Sequence, residues 1–319
     1  MRVTAKLARE LLEVLEELRE EYFHGERSYP FSEWERRREQ VKARLRKLPE
    51  LVERAVDLLN VEEKRVGRPK ALDLEQRVML FLFARLMDKS NRDVEELLVL
   101  FSPLFGFQVS YKTIERLYSD AEVKLALHNL FVLLLQEEGV SGSFSGDGTG
   151  YSLSIARHYR SSPEKKGKDY RFVFRVMDIE TGLYVAFGYS RHSEMEAFHK
   201  AVKMLEKLGI EVDSISLDKY YSSRKVLRIF GREVAVYVIP KKNFSRPGME
   251  WSRVLRKIAC SPLDFMKRYF KRNLSEAGFS ADKRRFGWKI RQRREDRQET
   301  ALFAVAVLHN LFTVRVNAT

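Results

Sequence analysis

Residues 143–154 read S-F-S-G-D-G-T-G-Y-S-L-S, and they change the character of the chain. Before them the apolar residues recur at helical spacing. From Gly142 onward they fall into short alternating blocks suited to strands. Arg171–Met177 and Leu183–Tyr189 alternate likewise and are joined by the turn D-I-E-T-G. Glu194–Leu208 gathers Ala197, Ala201, Met204, Leu205 and Leu208 on one side of a helix that ends at Gly209. Glu211–Leu217 is a short strand running into Asp218, Ser222–Phe230 a helix, and Glu233–Ile239 a strand stopped by Pro240. Helices follow at about 250–260, 262–277 and 298–312. Strand, hairpin, helix, strand, helix, strand and helices, in that order, predict an α/β sheet covered by helices over 139–319.

Upstream, the pattern is all helical. Residues 1–60 form a helical arm, with Leu7, Leu11, Leu15, Leu18 and Tyr22 on one face and a second helix over 32–59 that Pro49 kinks or splits. Two readings stand for it: a dimerisation arm, making the protein a homodimer, or a cap packed on its own chain. Residues 61–72 read as a basic linker. Its Gly67-Arg68-Pro69-Lys70 resembles an AT-hook core, which would place Arg68 in a narrow minor groove. Over 73–138, Leu74–Met87, Asn91–Phe101 and a helix capped by Ser110 suit a helix-turn-helix DNA-binding region. Tyr111, Lys112 and Arg116, with Lys124, would face the duplex. A plain helical bundle is the alternative.

The net charge of +14 favours a polyanionic partner, nucleic acid before membrane. Residues 1–60 hold thirteen basic and thirteen acidic residues, so the whole excess lies beyond them. The single cysteine, Cys260, rules out a disulfide framework or a cysteine-rich zinc site, and the six histidines show no paired spacing. Met1–Glu21 is charged throughout and Ala301–Val316 is short for a membrane span, so a cytosolic, nucleoid-associated protein with no membrane contact is expected.

Three acids stand out. Asp147 lies in the first strand between Gly146 and Gly148, an arrangement that lets a bulky ligand approach the backbone. Asp218 sits where a strand ends and a loop begins, the usual place for ligands in open α/β sheets. Glu276 lies in a basic field, since residues 265–297 hold twelve Lys or Arg and four Asp or Glu. Oxygen donors of this kind suit Mg²⁺ or Mn²⁺, and a pair of such ions supports phosphoryl transfer. Tyr269, Arg272, Glu276 and Lys283 are spaced by 3, 4 and 7 residues. On a continuous helix they share an arc of roughly 60°, provided that Gly278 does not break it. The other acids read as bystanders: Asp178 and Glu180 solvated in a turn, Asp213 on the surface, and Asp282 in a salt bridge.

This Y-x2-R-x3-E-x6-K pattern resembles the signature of DDE transposases from bacterial and archaeal insertion sequences. The surroundings G-D-G-T-G at 146–150 and L-D-K-Y-Y-S at 217–222 are similar to those of that family's first two acids. The resemblance covers about 65–316. It implies a ribonuclease H-like catalytic core, two divalent ions held by Asp147, Asp218 and Glu276, and Tyr269, Arg272 and Lys283 at the phosphates near the cut. It also implies double-stranded DNA as substrate, cleaved at transposon ends and joined to target. Some relatives carry a large β-rich insertion between the second and third acids, and this chain does not. In the short region that replaces it, Trp251 has two readings, stacking on an unpaired base or sitting in the core. Two rival functions stand beside the transposase: a catalytically inactive DNA-binding regulator, and a metal-dependent nuclease that cuts without joining.

Overall fold

A computed structural model describes residues 5–23, 30–59, 70–101, 103, 106–153, 170–241 and 248–313. Arg68 and most of its linker lie outside these residues, as do parts of the turn before α6. The helical half comprises α1 (Ala5–Phe23), α2 (Phe31–Arg46), α3 (Leu48–Asp57), α4 (Leu74–Leu86), α5 (Asn91–Leu100), α6 (Tyr111–Leu117) and α7 (Ala121–Glu138). The expected 32–59 helix splits at Lys47, because Pro49 has no N–H to give and fits only in the first turn of α3. Asp73 and Ser90 complete reciprocal capping boxes with Gln76 and Asp93. Ser110 occupies the N-cap of α6 but makes no side-chain cap. Glu95 accepts from the Tyr111 N–H instead, at 3.1 Å.

The apolar stripes of the arm are consumed within the chain. Ala8 and Leu15 are buried where α1 meets α10 (Gly248–Cys260) and α11 (Pro262–Phe270), and Leu51, Val52 and Ala55 where α3 meets α4 and α7. The described arm is therefore a cap on its own chain, and its inward stripes are not left for a second copy.

The rest is a mixed α/β unit. Its sheet runs β3 (Tyr184–Ser190), β2 (Tyr170–Asp178), β1 (Ser143–Leu153), β4 (Ser214–Leu217), β5 (Ala235–Tyr237), with the short β6 (Lys289–Ile290) pairing to the far end of β1. β1–β2 and β2–β3 are antiparallel, β1–β4 and β4–β5 parallel. Helix α8 (Glu194–Lys207) packs on one face of β1–β3. On the other lie α12 (Asn273–Phe286) and α13 (Glu295–Leu311). The two-residue period of a strand sorts the side chains between these faces. Phe174 meets Phe198 of α8 edge-on, while its neighbour Arg175 points to Asp282 of α12. From Gln298 to Leu311 only Glu299 of α13 is exposed, which explains why the 301–316 run is apolar all round. Among the described residues no helix is long and apolar enough to cross a membrane.

The expected single helix over 262–277 is two. The chain breaks between Phe270 and Asn273, and α12 then runs without interruption through Gly278 to Phe286. Gly278 is what lets the helix sit down on the sheet. A Cβ there would lie 2.5 Å from Met177 Cε and 2.9 Å from the Tyr184 hydroxyl. Asp178, expected to be solvated, is fully buried. Its carboxylate accepts the N–H groups of Ser141 (2.6 Å), Glu180 (2.9 Å) and Thr181 (2.9 Å), so it builds the turn from inside. Trp251 is also in the core, 2% exposed, and offers no ring face to a base.

α12 is fixed by charge. Arg175, fully buried, donates to Asp282 Oδ2 at 2.6 Å, Tyr184 donates to the same oxygen at 2.9 Å, and His309 Nδ1 lies 2.7 Å from Oδ1. Burial alone would raise the Asp282 carboxyl, but His309, Arg175 and Tyr184 together hold it below its ordinary value. Removing one partner of such a pair leaves an uncompensated charge in the core. Asp282→Asn should cost about 3–5 kcal/mol in chemical denaturation; a loss under about 1 kcal/mol would show that the pair is not what seats α12.

Candidate active site

The parallel pairing of β1 and β4 brings the first two acids together. Gly146 pairs with Leu217 in register, and one residue further along each strand stand Asp147 and Asp218. Adjacent strands lie about 4.8 Å apart, so these carboxylates leave neighbouring strand ends side by side. Asp218 is steadied by accepting the Tyr220 N–H at 2.7 Å as the cap of a short 3-10 turn, Lys219–Tyr221.

The third acid is delivered by two serines. Along β1 the odd-numbered side chains Ser145, Asp147, Thr149 and Tyr151 share the α12 face. Ser145 Oγ is hydrogen-bonded to Ser275 Oγ in the first turn of α12, both fully buried. Ser216 Oγ in β4 donates to the Arg268 carbonyl at the end of α11, at 2.8 Å. These contacts pin the α11–α12 break over the strand ends and leave Glu276, next to Ser275, at the mouth of the site.

Arg272 occupies that break. Its Nη1 donates to Glu276 Oε1 at 2.6 Å and lies 3.1 Å from Asp218 Oδ2, and its guanidinium is 5.4 Å from the Tyr269 ring centroid. The four signature residues thus do not share one helix as their spacing suggests. Tyr269 ends α11, Arg272 caps α12, and only Glu276 and Lys283 ride the same helix. Tyr269 is 6% exposed, so it supports Arg272 from beneath rather than meeting solvent. Lys283 is also engaged, donating to Thr149 Oγ1 (2.6 Å) and the Gly150 carbonyl (3.1 Å).

A fourth acid joins the group. Glu194, the first residue of α8, lies over Gly148 so closely that a Cβ there would run into its carboxylate, and it accepts the Tyr221 hydroxyl at 2.6 Å. The space left by Gly148 is therefore filled by the chain's own acid, not kept open for a ligand. In the sequence Glu194 reads as an ordinary acid in the first turn of a helix capped by Ser193, which is why spacing alone does not single it out. The four acids act on one another. Burial first, and then the charges of Glu276, Asp218 and Glu194, push the Asp147 carboxyl up to about 7.

Oxygen-only donors under mutual repulsion are chemically matched to a hard divalent cation. Among the described residues, however, no three metal-ligating side chains converge closely enough to hold an ion as they stand. The positive charge at the site is Arg272. In the helical half, Lys112 and Arg116 are exposed one turn apart on α6. Tyr111 is half-buried, with the Arg92 guanidinium 5.2 Å from its ring centroid.

No family model matches the sequence. Over 316 residues the chain is 69% identical to a probable transposase for insertion sequence element ISA1214 from Archaeoglobus fulgidus, an alignment covering 99% of this chain and 98% of that one. The structure of a piggyBac transposase synaptic complex with hairpin DNA aligns with 82% of this chain and 70% of its own, at 9% identity and a TM-score of 0.45, too distant to carry a fold assignment.

The raised Asp147 carboxyl has a consequence for stability. Its ordinary value is 3.8, and the folded protein holds the proton up to about 7. Between those values the folded state binds the extra proton, so stability falls as pH rises through this window and levels off above it. In chelator-containing buffer, Asp147→Asn should be more stable than wild type at about pH 8, by on the order of 2 kcal/mol. The gap should close toward about pH 4, where both side chains are neutral. Melting temperatures across that range test this, and a gap independent of pH would contradict it.

Proposed function

We propose that this chain, which belongs to the transposases of insertion sequence elements, cuts DNA at the ends of its element and joins the freed 3′ ends to target DNA by metal-dependent phosphoryl transfer. The observation that carries the reading is the in-register placement of Asp147 and Asp218 at the ends of two parallel strands, with Glu276 pinned above them through Ser145–Ser275. The catalytic unit is ribonuclease H-like in this proposal, a reading supported by the mixed sheet with helices on both faces.

Asp147, Asp218 and Glu276 are the acids that would hold two Mg²⁺ or Mn²⁺ ions. When bound, these supply the charge that readies the attacking oxygen and steadies the leaving one. The residues account for the rest. The raised proton affinity of Asp147 reflects a pocket in need of positive charge, which Arg272 provides by bridging Asp218 and Glu276. With its acids otherwise neutralised, the Arg272 guanidinium is placed to hold a phosphate oxygen, kept in orientation by the buried Tyr269 ring. Glu194, tied to Tyr221, holds negative charge against the far side of β1 and keeps that wall of the pocket closed.

DNA binding away from the cut falls to the basic surface. Lys112 and Arg116 on α6, with Tyr111 at its start, form the face of the proposed helix-turn-helix, and Arg68 is the proposed minor-groove contact of the linker.

The decisive experiment uses labelled DNA carrying the ends of the element and a plasmid target. Asp147→Asn, Asp218→Asn and Glu276→Gln, made singly, should each retain end binding in a mobility-shift assay yet lose at least about 100-fold in Mg²⁺-dependent cleavage. Wild-type cleavage by any one of them removes that residue from the set. Wild-type protein that binds the ends but never cuts them would be a regulator, and cutting without plasmid joining would mark a nuclease.

A further inference from the structure

The sequence holds three tryptophans, and the structure treats them differently. Trp251 is in the core, Trp34 pairs edge-on with Phe31 at 5.5 Å, and Trp288 stands 61% exposed in the most basic part of the chain. Around Trp288, Arg284, Arg285, Lys289 and Arg293 are all exposed.

Trp288 is exposed but not loosely held. Gly287, with φ of 93°, backs onto the Asp88 carboxylate so closely that no side chain fits there, and its N–H donates to the Lys283 carbonyl at 3.2 Å. On the other side, Lys289 and Ile290 pair as β6 with Ser152 and Leu153 of β1, Ile290 is buried, and Arg291 donates to the Asp88 carbonyl at 2.9 Å. The backbone is anchored before and after the ring. A rigid indole left in water forgoes the burial that its size would reward, so its position invites a partner with a flat apolar face.

Lys283 connects this ring to the candidate active site. Its ammonium lies 5.8 Å from the Trp288 ring centroid and 5.0 Å from that of Tyr151, while it donates to Thr149 and Gly150 of β1. Thr149 is two residues from Asp147 on the same strand face, roughly 7 Å along β1. Trp288 therefore lies within roughly 15 Å of Asp147, a few nucleotides along a strand.

We infer that Trp288 is a stacking platform for an unpaired DNA base next to the cut, with Lys283 and the surrounding arginines holding the flanking phosphates. An aromatic face set among cations is the arrangement that binds single-stranded nucleic acid without reading its sequence, whereas a base inside an intact duplex has no face to offer. This rests on the proposed DNA-processing function and adds a place for the strand that leaves the duplex.

The test compares full-length wild type, Trp288→Ala and Trp288→Phe on two fluorescent probes, a blunt duplex and the same duplex with a single-stranded tail of a few nucleotides. Wild type should prefer the tailed probe. Trp288→Ala should bind the tail roughly ten-fold more weakly while binding the blunt duplex as before, and Trp288→Phe should keep most of the preference. In a Trp34→Phe background, where Trp288 is the remaining exposed indole, the tailed probe should quench tryptophan emission and the blunt probe should not. No preference in wild type, or an unchanged preference in Trp288→Ala, overturns the stacking role and leaves the transposase reading intact. Wild-type protein that binds neither probe overturns the DNA-processing reading itself.

Discussion

The buried pair between Arg175 and Asp282 is the constraint on which the geometry of this protein turns. A fully buried guanidinium in the middle strand of a three-stranded meander must meet a counter-charge, because an unpaired charge in such a place costs several kcal/mol. The only carboxylate that contacts it comes from α12, and His309 of α13 and Tyr184 of β3 complete the shell around that carboxylate. A helix held at one azimuth by Asp282 presents every other residue at a determined angle. Glu276, six residues earlier, is carried to the strand ends, and Lys283, one residue later, reaches the far half of β1. Well-packed apolar residues could stabilise such a core equally well. They would not specify which side of α12 faces the sheet.

The same logic of charge governs the strand ends. Four acids gather there, from β1, from the end of β4, from the first turn of α8 and from α12. Water reaches Asp147 poorly, so its carboxyl keeps its proton to about 7, while Arg272 balances Asp218 and Glu276. Placing the arginine at a break between two helices frees its long side chain to reach both acids. A position within a continuous helix would tie it to one face. Ser145–Ser275 and Ser216–Arg268 are small polar contacts, but each joins a strand to a helix end and so converts sheet register into site geometry.

Much of this was legible along the chain. The switch to strand periodicity at residue 143, the hairpin at 178–182 and the placement of Asp147 and Asp218 at the ends of neighbouring strands all follow from alternation and turn chemistry. What misled was local. Gly278 looks like a helix breaker, yet the helix passes through it, because close packing on Met177 and Tyr184 is worth more than the backbone freedom given up. Conversely, the break at Lys271–Arg272 has neither glycine nor proline to announce it. Trp251 and Trp288 are indistinguishable as letters, and their roles are reversed from the base-stacking reading of the sequence. Glu194 gives no signal at all, since its proximity to Asp147 spans a hairpin and a helix start.

The sequence by itself determined the elements, their order and the chemical kinds available at the site, because these depend on period, capping and side-chain chemistry within a few residues. It was enough to identify three acids, an arginine and a lysine in a pattern that resembles DDE transposases. Only the tertiary structure decided which of these groups meet. Burial, the register between β1 and β4 and the counter-charge demanded by Arg175 are set by residues far apart in the chain, so the fourth acid, the bridging Arg272 and the exposed Trp288 emerge only when the sheet and its helices are assembled.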